Sequence, residues 1–144
     1  MDIGLLLQVN KRGNKLYNKE ISRVADRHGL TKTELDILLF LYRHPEYDTA
    51  REIVEVRGIT KSYVSKAVDS LVKSAFLQAV ADRDDRRLYH LILCPKSQPA
   101  LNEAKRVQEQ YFHAVMEGVS IEEQTQMEQI FRRILDNIKR EENR

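Results

Sequence analysis

The 144-residue sequence predicts a mainly α-helical fold with a small β-hairpin wing, a winged helix-turn-helix domain embedded in a helical dimerisation domain. Three observations predict it. Two short helical stretches, 49–57 and 60–73, meet at Gly58, the spacing of two helices joined by a tight glycine turn. Two short apolar runs separated by a charged turn follow at once, the pattern of a hairpin. Long stretches with apolar residues at helical spacing, 3–28 and 99–138, stand on either side in the chain. The expected division is therefore 30–94 for the winged helix-turn-helix, with 1–29 and 95–144 as the helical dimerisation region.

The first helix is expected over 3–28, where Leu6, Val9, Leu16, Ile21, Val24 and Ala25 make an imperfect apolar stripe. Gly4 and Gly13 weaken it, since glycine costs about 1 kcal/mol inside a helix. Its six basic residues outnumber Glu20 and Asp26, the pattern of a solvated face. His28-Gly29 ends it. Thr31-Lys32-Thr33-Glu34 is a capping box that opens a second helix, with Leu35, Leu38, Leu39 and Tyr42 inward and His44-Pro45 as its stop. Thr49-Ala50-Arg51-Glu52 is another capping box, opening a short helix with Ile53 and Val54 inward.

Thr60 is a good N-cap for the next helix, its hydroxyl expected to accept from the first turn. Val64, Ala67, Val68, Leu71 and Val72 fall on one face; Ser62, Ser65, Lys66, Asp69 and Lys73 fall on the other, with Lys61 and Tyr63 on the flanks. Runs 77–81 and 88–93 read as strands, joined by Asp82-Arg83-Asp84-Asp85-Arg86-Arg87. The aspartates suit a turn because their carboxylates bond nearby backbone N–H groups. They are also expected to hold the arginines by ion pairs. Pro95 and Pro99 mark the exit. Leu101, Ala104, Val107, Tyr111, Phe112, Val115 and Met116 then form a stripe broken by Gly118. Ser120-Ile121-Glu122-Glu123 caps a last helix carrying Met127, Ile130, Phe131, Ile134, Leu135 and Ile138. The terminal stripes exceed what one small module needs to cover itself. A second copy of the chain would bury them, as would an intrachain bundle.

The chemistry suggested is that of a DNA duplex. Short hydroxyls, lysines and an aromatic ring on one helix face can enter a major groove about 12 Å wide. The same face is also that of an ordinary solvated helix, so the hairpin after it carries the argument. Arginine at a hairpin tip can clamp phosphate or enter a minor groove. Over 60–90, Lys61, Lys66, Lys73, Arg83, Arg86 and Arg87 face Asp69, Asp82, Asp84 and Asp85, a basic excess of only two. That modest excess leaves open a winged helix that binds proteins without DNA.

Composition excludes other classes. With 42% hydrophobic and 32% charged residues the chain reads as globular, and a net charge of +2 permits a nucleic-acid partner without requiring one. Cys94 is the single cysteine, which rules out an internal disulfide and suits a reducing cytoplasm; it is either a redox sensor or a small structural thiol. The apolar run 3–7 is too short to span a bilayer and no cleavable signal pattern is present, so a cytoplasmic protein without a membrane partner is expected. His28, His44, His90 and His113 are scattered without metal-ligand spacing. No phosphate loop, nucleophile elbow or paired-carboxylate pattern appears, so neither an enzyme nor a cofactor or metal is expected. Tyr17, Tyr42, Tyr111 and Phe112 suit the wall of a ligand cavity, and equally a core or interface, so no ligand site is assigned.

From Leu30 onward the chain resembles the MarR family of bacterial winged-helix transcriptional regulators. The resemblance is carried by Leu30-Thr31-Lys32-Thr33-Glu34-Leu35, by the segment 59–71, and by the wing, whose Asp85, Arg86 and Arg87 match the family's aspartate, variable residue and arginine. It implies a two-fold homodimer joined through both termini, repressing transcription from palindromic sites. Many members release DNA when a small, often phenolic, effector binds near the junction of the two domains; others respond to cysteine oxidation or metals. Carried onto this chain, the resemblance and the pattern together make Ser62, Tyr63, Ser65 and Lys66 candidates for base or nearby phosphate contact. Lys61 and Lys73 are candidates for phosphates. Arg86 or Arg87 is expected in a flanking minor groove, Arg83 on the turn or the DNA backbone, and Asp85 orienting an arginine. Two departures stand out. Lys73-Ser74-Ala75-Phe76-Leu77 replaces the usual Glu-x-x-Gly-Leu-Val, a change expected to touch packing. Cys94-Pro95-Lys96-Ser97-Gln98-Pro99 replaces Leu-Thr-x-x-Gly after the wing.

Overall fold

In the computed structural model, which describes residues 1–144, the second helix is the axis of the core. This helix, α2 (Lys32–Arg43), opens with the anticipated reciprocal capping box between Thr31 and Glu34, and eight of its twelve residues are buried. The run Ile37-Leu38-Leu39-Phe40-Leu41 is apolar on every side, and every side is covered. The first helix α1 (Ile3–Arg27), the helix α4 (Lys61–Lys73) and the second wing strand all pack on it. α1 contributes Ile21, Val24 and Ala25, all buried. Beyond Arg27 the chain reverses through Gly29 at φ +67°: its N–H donates to Asp26 O at 3.2 Å, and that of Leu30 to Ala25 O at 2.9 Å.

Tyr42 does not join the core. It lies where α2 leaves the packed region, 42% exposed, with the Lys105 ammonium 4.2 Å from its ring centroid and 3.0 Å from its hydroxyl. That ammonium lowers the phenol's pKa.

The third helix begins as one α turn, α3 (Ala50–Glu52), and widens into a π-helical turn over Ile53–Arg57. Its cap differs from the reciprocal box. Thr49 Oγ1 accepts from the Glu52 N–H at 3.2 Å, but its own hydroxyl donates to the Glu52 carboxylate at 2.8 Å. Ile53 is fully buried and Val54 packs partly against the core. Gly58, at φ +78°, closes the turn with its N–H on Val54 O at 3.2 Å. Thr60 holds the extended backbone of an N-cap, but its hydroxyl makes no capping bond. This helix start is exposed, so water serves its N–H groups equally well.

Strands β1 (Leu77–Ala81) and β2 (Tyr89–Leu93) pair antiparallel, from Leu77 opposite Leu93 to Ala81 opposite Tyr89. Leu88, expected to begin the second strand, instead closes the turn, its N–H on Asp85 O at 3.0 Å. Leu77 and Leu91 face the core, whereas Gln78, Val80 and Ile92 face solvent. The N–H of Leu91 donates to Asp48 O at 2.7 Å, which docks the connection ahead of α3 along β2.

A short 3-10 turn over Pro95–Ser97 leads into α5 (Gln98–Val115), which buries Ala100, Leu101 and Ala104. The last helix, α6 (Ile121–Glu142), opens with the reciprocal capping box of Ser120 and Glu123; none of its residues is buried. By internal packing the chain forms two units, Met1–Gln110 and Tyr111–Arg144. No helix is long and apolar enough to cross a membrane.

Candidate nucleic-acid interface

Helix α4 is held from behind by Val64, Ala67 and Leu71, all buried. Burying a valine or leucine side chain stabilises by roughly 1.5–3 kcal/mol each, enough to fix the helix's rotation. That rotation leaves Lys61, Ser62, Tyr63, Ser65, Lys66 and Lys73 exposed, with Tyr63 63% accessible. Val68 is only partly covered and Val72 is 36% exposed. They line a groove of about 870 Å³ between α4, α3 and the wing. Its floor is apolar. Lys61, Ser65, Lys73 and Arg87 stand along it, together with Arg51, Glu55 and Asp69. Ser62, Tyr63, Lys66, Arg83, Asp85 and Arg86 do not line this groove and face solvent.

The wing turn is built by two aspartates. Asp82 Oδ2 accepts from the N–H groups of both Asp84 and Asp85 at 3.0 Å, and Asp85 Oδ1 accepts from the Arg87 N–H at 3.0 Å. The acids thus shape the backbone more than they hold the arginines. Arg87 Nε lies 3.7 Å from Asp85 Oδ1, with the arginine side chain 95% exposed; Arg83 and Arg86 form no ion pair.

One functional candidate escaped the sequence reading. His90 Nε2 lies 2.7 Å from Asp82 Oδ1, and its Nδ1 lies 2.8 Å from Asp48 Oδ1. A carboxylate can only accept, so both ring nitrogens donate and the ring is an imidazolium. The bond to Asp82, and then that to Asp48, raise its pKa to about 9. The same bond, with the two turn amides, lowers the Asp82 pKa to about 2. The two ring nitrogens point to different carboxylates, so the three side chains do not converge on one ion. A histidine two positions into a strand carries no signal of this role, because Asp48 is 42 residues away in sequence.

Other polar clusters tie helices of the first unit together. Glu103 on α5 accepts from His28 Nε2 at 2.6 Å and pairs with Arg27, and the hydrogen bonds from His28 and then Arg27 lower its pKa. Asp36, buried on α2, receives Lys32 Nζ at 2.5 Å and lies 3.7 Å from Arg57 Nη2 at the end of the π turn. His44 packs against the rings of Phe40 and Tyr47.

A helix-turn-helix whose second helix is presented to solvent beside a hairpin defines a winged-helix protein. Within that class, residues 28–88 match the model of the MarR family. Over those residues the chain is similar to the MarR family. The transcriptional regulator PA3341 is similar at 26% identity, with 96% of this chain and 99% of that one covered and a TM-score of 0.80. A MarR protein from Peptoclostridium difficile matches at TM-score 0.81 with 18% identity, covering 98% and 91% of the two chains. A MarR family transcriptional regulator from Listeria monocytogenes, complexed with 26mer DNA, matches at TM-score 0.80 with 16% identity, covering 96% and 89%. No curated protein matches the sequence.

Proposed function

We propose that this protein is a sequence-specific, double-stranded-DNA-binding transcriptional regulator, a repressor that acts as a homodimer on a palindromic operator. The observation that carries the reading is the joint exposure of the α4 face and the wing arginines on one packed unit. Ser62, Tyr63, Ser65 and Lys66 meet base edges or nearby phosphates in the major groove, and Lys61 and Lys73 meet phosphates. Arg86 or Arg87 enters the adjacent minor groove, while Arg83 meets the backbone. The complex of the Listeria relative with DNA supports this placement by likeness of fold.

The dimer is supported by apolar surface without cover in the chain. Ile3, Leu5, Leu7 and Val9 are each more than half exposed, and in α6 Phe131, Leu135 and Ile138 are 50–52% exposed. In the proposed assembly a second copy covers these stripes, so 1–29 and 95–144 serve dimerisation and 30–94 serves DNA. Two α4 helices then enter successive major grooves about 34 Å apart. A small effector, phenolic in type as for many relatives, releases the DNA.

The experiment is a gel-shift titration at two salt concentrations on DNA from upstream of the protein's own gene, with the mass in solution measured by light scattering. A dimer that shifts this DNA in preference to unrelated duplex, with affinity falling as salt rises, is expected. A stable monomer, or no preference between duplexes, would sink the reading. Release is tested by screening phenolic compounds against the preformed complex.

A further inference from the structure

His90 is none of the proposed DNA contacts, yet this side chain joins three separate pieces of backbone. We propose that His90 is a positioning residue: by bridging Asp82 and Asp48 it clamps the wing turn to the connection ahead of α3, and so sets the pose in which the wing arginines meet DNA. The inference rests on the DNA-binding reading and adds a residue to its machinery.

The bonds form an unbroken chain. The Asp48 carbonyl holds the N–H of Leu91, and its carboxylate holds His90 Nδ1. His90 Nε2 holds Asp82 Oδ1, while Asp82 Oδ2 holds the N–H groups of Asp84 and Asp85. Asp85 in turn accepts from the N–H of Arg87. The backbone that aims the arginine is thus referred, bond by bond, to a segment outside the hairpin. This matters because a two-stranded hairpin is marginal in isolation, and only Leu77 and Leu91 of its strands are buried. A turn fixed before binding avoids the cost of ordering it on the DNA.

The clamp is ionic as well as geometric. The charged groups facing His90 are Asp82 from the turn and Asp48 from the connection; its ladder partner Val80 is apolar. With the imidazolium between them the two carboxylates are bridged. Without its proton, one ring nitrogen turns a lone pair toward a carboxylate and that bond is lost. The side chain is one-third exposed, so replacing it leaves the core intact.

Two measurements test the clamp, with His90→Gln as the main variant and Asp48→Asn as the second. In the free protein, amide exchange at Asp84 and Asp85 is followed by NMR. Either substitution is expected to speed it about tenfold, with the amides of α2 unaffected. On DNA, a double-mutant cycle combines His90→Gln with Arg87→Ala on a duplex selected by the wild type. Losing Arg87 is expected to cost at least about threefold less affinity in the His90→Gln background than in the wild type. Wild-type affinity is expected to fall above about pH 9, by a step that His90→Gln lacks. Unchanged turn amides, or an additive cycle, overturn the proposal. A wild type that selects no duplex counts against the DNA reading instead; the amide comparison needs no DNA and still decides the clamp.

Discussion

The backbone N–H of Phe76 donates to the carbonyl of Leu71 at 2.9 Å, across a reversal whose left-handed residue is alanine. Ala75, at φ +63°, is the only residue other than glycine with a positive φ in the chain. Its N–H reaches Val72 O at 3.1 Å, so α4 ends in the same double bond pattern that Gly29 makes after α1. An L-residue in this region costs roughly 1–2 kcal/mol, partly offset in a comparison with glycine by the latter's looser unfolded chain. Ala75→Gly is therefore expected to stabilise the protein by about 1 kcal/mol, read as a rise in denaturation midpoint with unchanged cooperativity. A lower midpoint would show that packing, not backbone strain, governs this position.

Stability should depend on pH at both ends of the scale through the wing base. His90 holds its proton more tightly folded than unfolded, its pKa raised from 6.5 to about 9. Its contribution is complete below about pH 6.5 and is lost as pH rises through about 9. Asp82 is the reverse case, lowered from 3.8 to about 2, and its contribution is lost as pH falls through that range. Thermal melts from pH 3 to pH 10 are expected to show a broad optimum between these limits. His90→Gln should flatten the alkaline side; an unaltered alkaline slope would remove the cluster from the account.

Arg86→Ala and Arg87→Ala are expected to weaken binding to most duplexes, not to one sequence alone. Each lost phosphate contact should reduce the slope of log affinity against log salt by about 1. The slope of the double variant, measured by fluorescence anisotropy, decides this. If affinity and slope match the wild type, the wing does not touch the nucleic acid.

Ser65 stands on the α4 face along the groove, and in the proposed complex it is a candidate for contact with a base edge. Substituting it with Ala or Asn should change which base is preferred at one position of each half-site, by about 1–3 kcal/mol of discrimination. Selection from random duplexes measures the preference. The same consensus for wild type and variant would take Ser65 out of direct readout.

How far the chain could be read in advance depended on the range of each interaction. The capping boxes of Thr31 and Ser120 lie within four residues, and both form as written. The hairpin was legible because the short apolar runs and the aspartates of the turn between them are local signals. Thr60 and Glu52 show the limit of that locality. Each stands in the right place, but Thr60 makes no side-chain cap, and Glu52 takes the Thr49 hydroxyl rather than its N–H. Tyr42 and Val72 follow their apolar stripes yet stay partly open, because neighbouring elements, not periodicity, decide where cover ends. Ala75 looked like a packing change and is a backbone one. The bond from His90 to Asp48 is the least legible of all, since it exists only once the hairpin has folded against a distant connection.

The enclosure of α2 has one more consequence. A helix with one wet side can turn a few degrees about its axis to absorb a substitution. Here the stretch from Glu34 to Leu41 is sheathed without a gap, so no such adjustment is open to it. A saturation library should therefore find one unbroken intolerant block at 34–41, where an ordinary surface helix would give a striped tolerance map. Any signal that passes between α1 and the wing has to travel around this stator or displace it as a rigid rod.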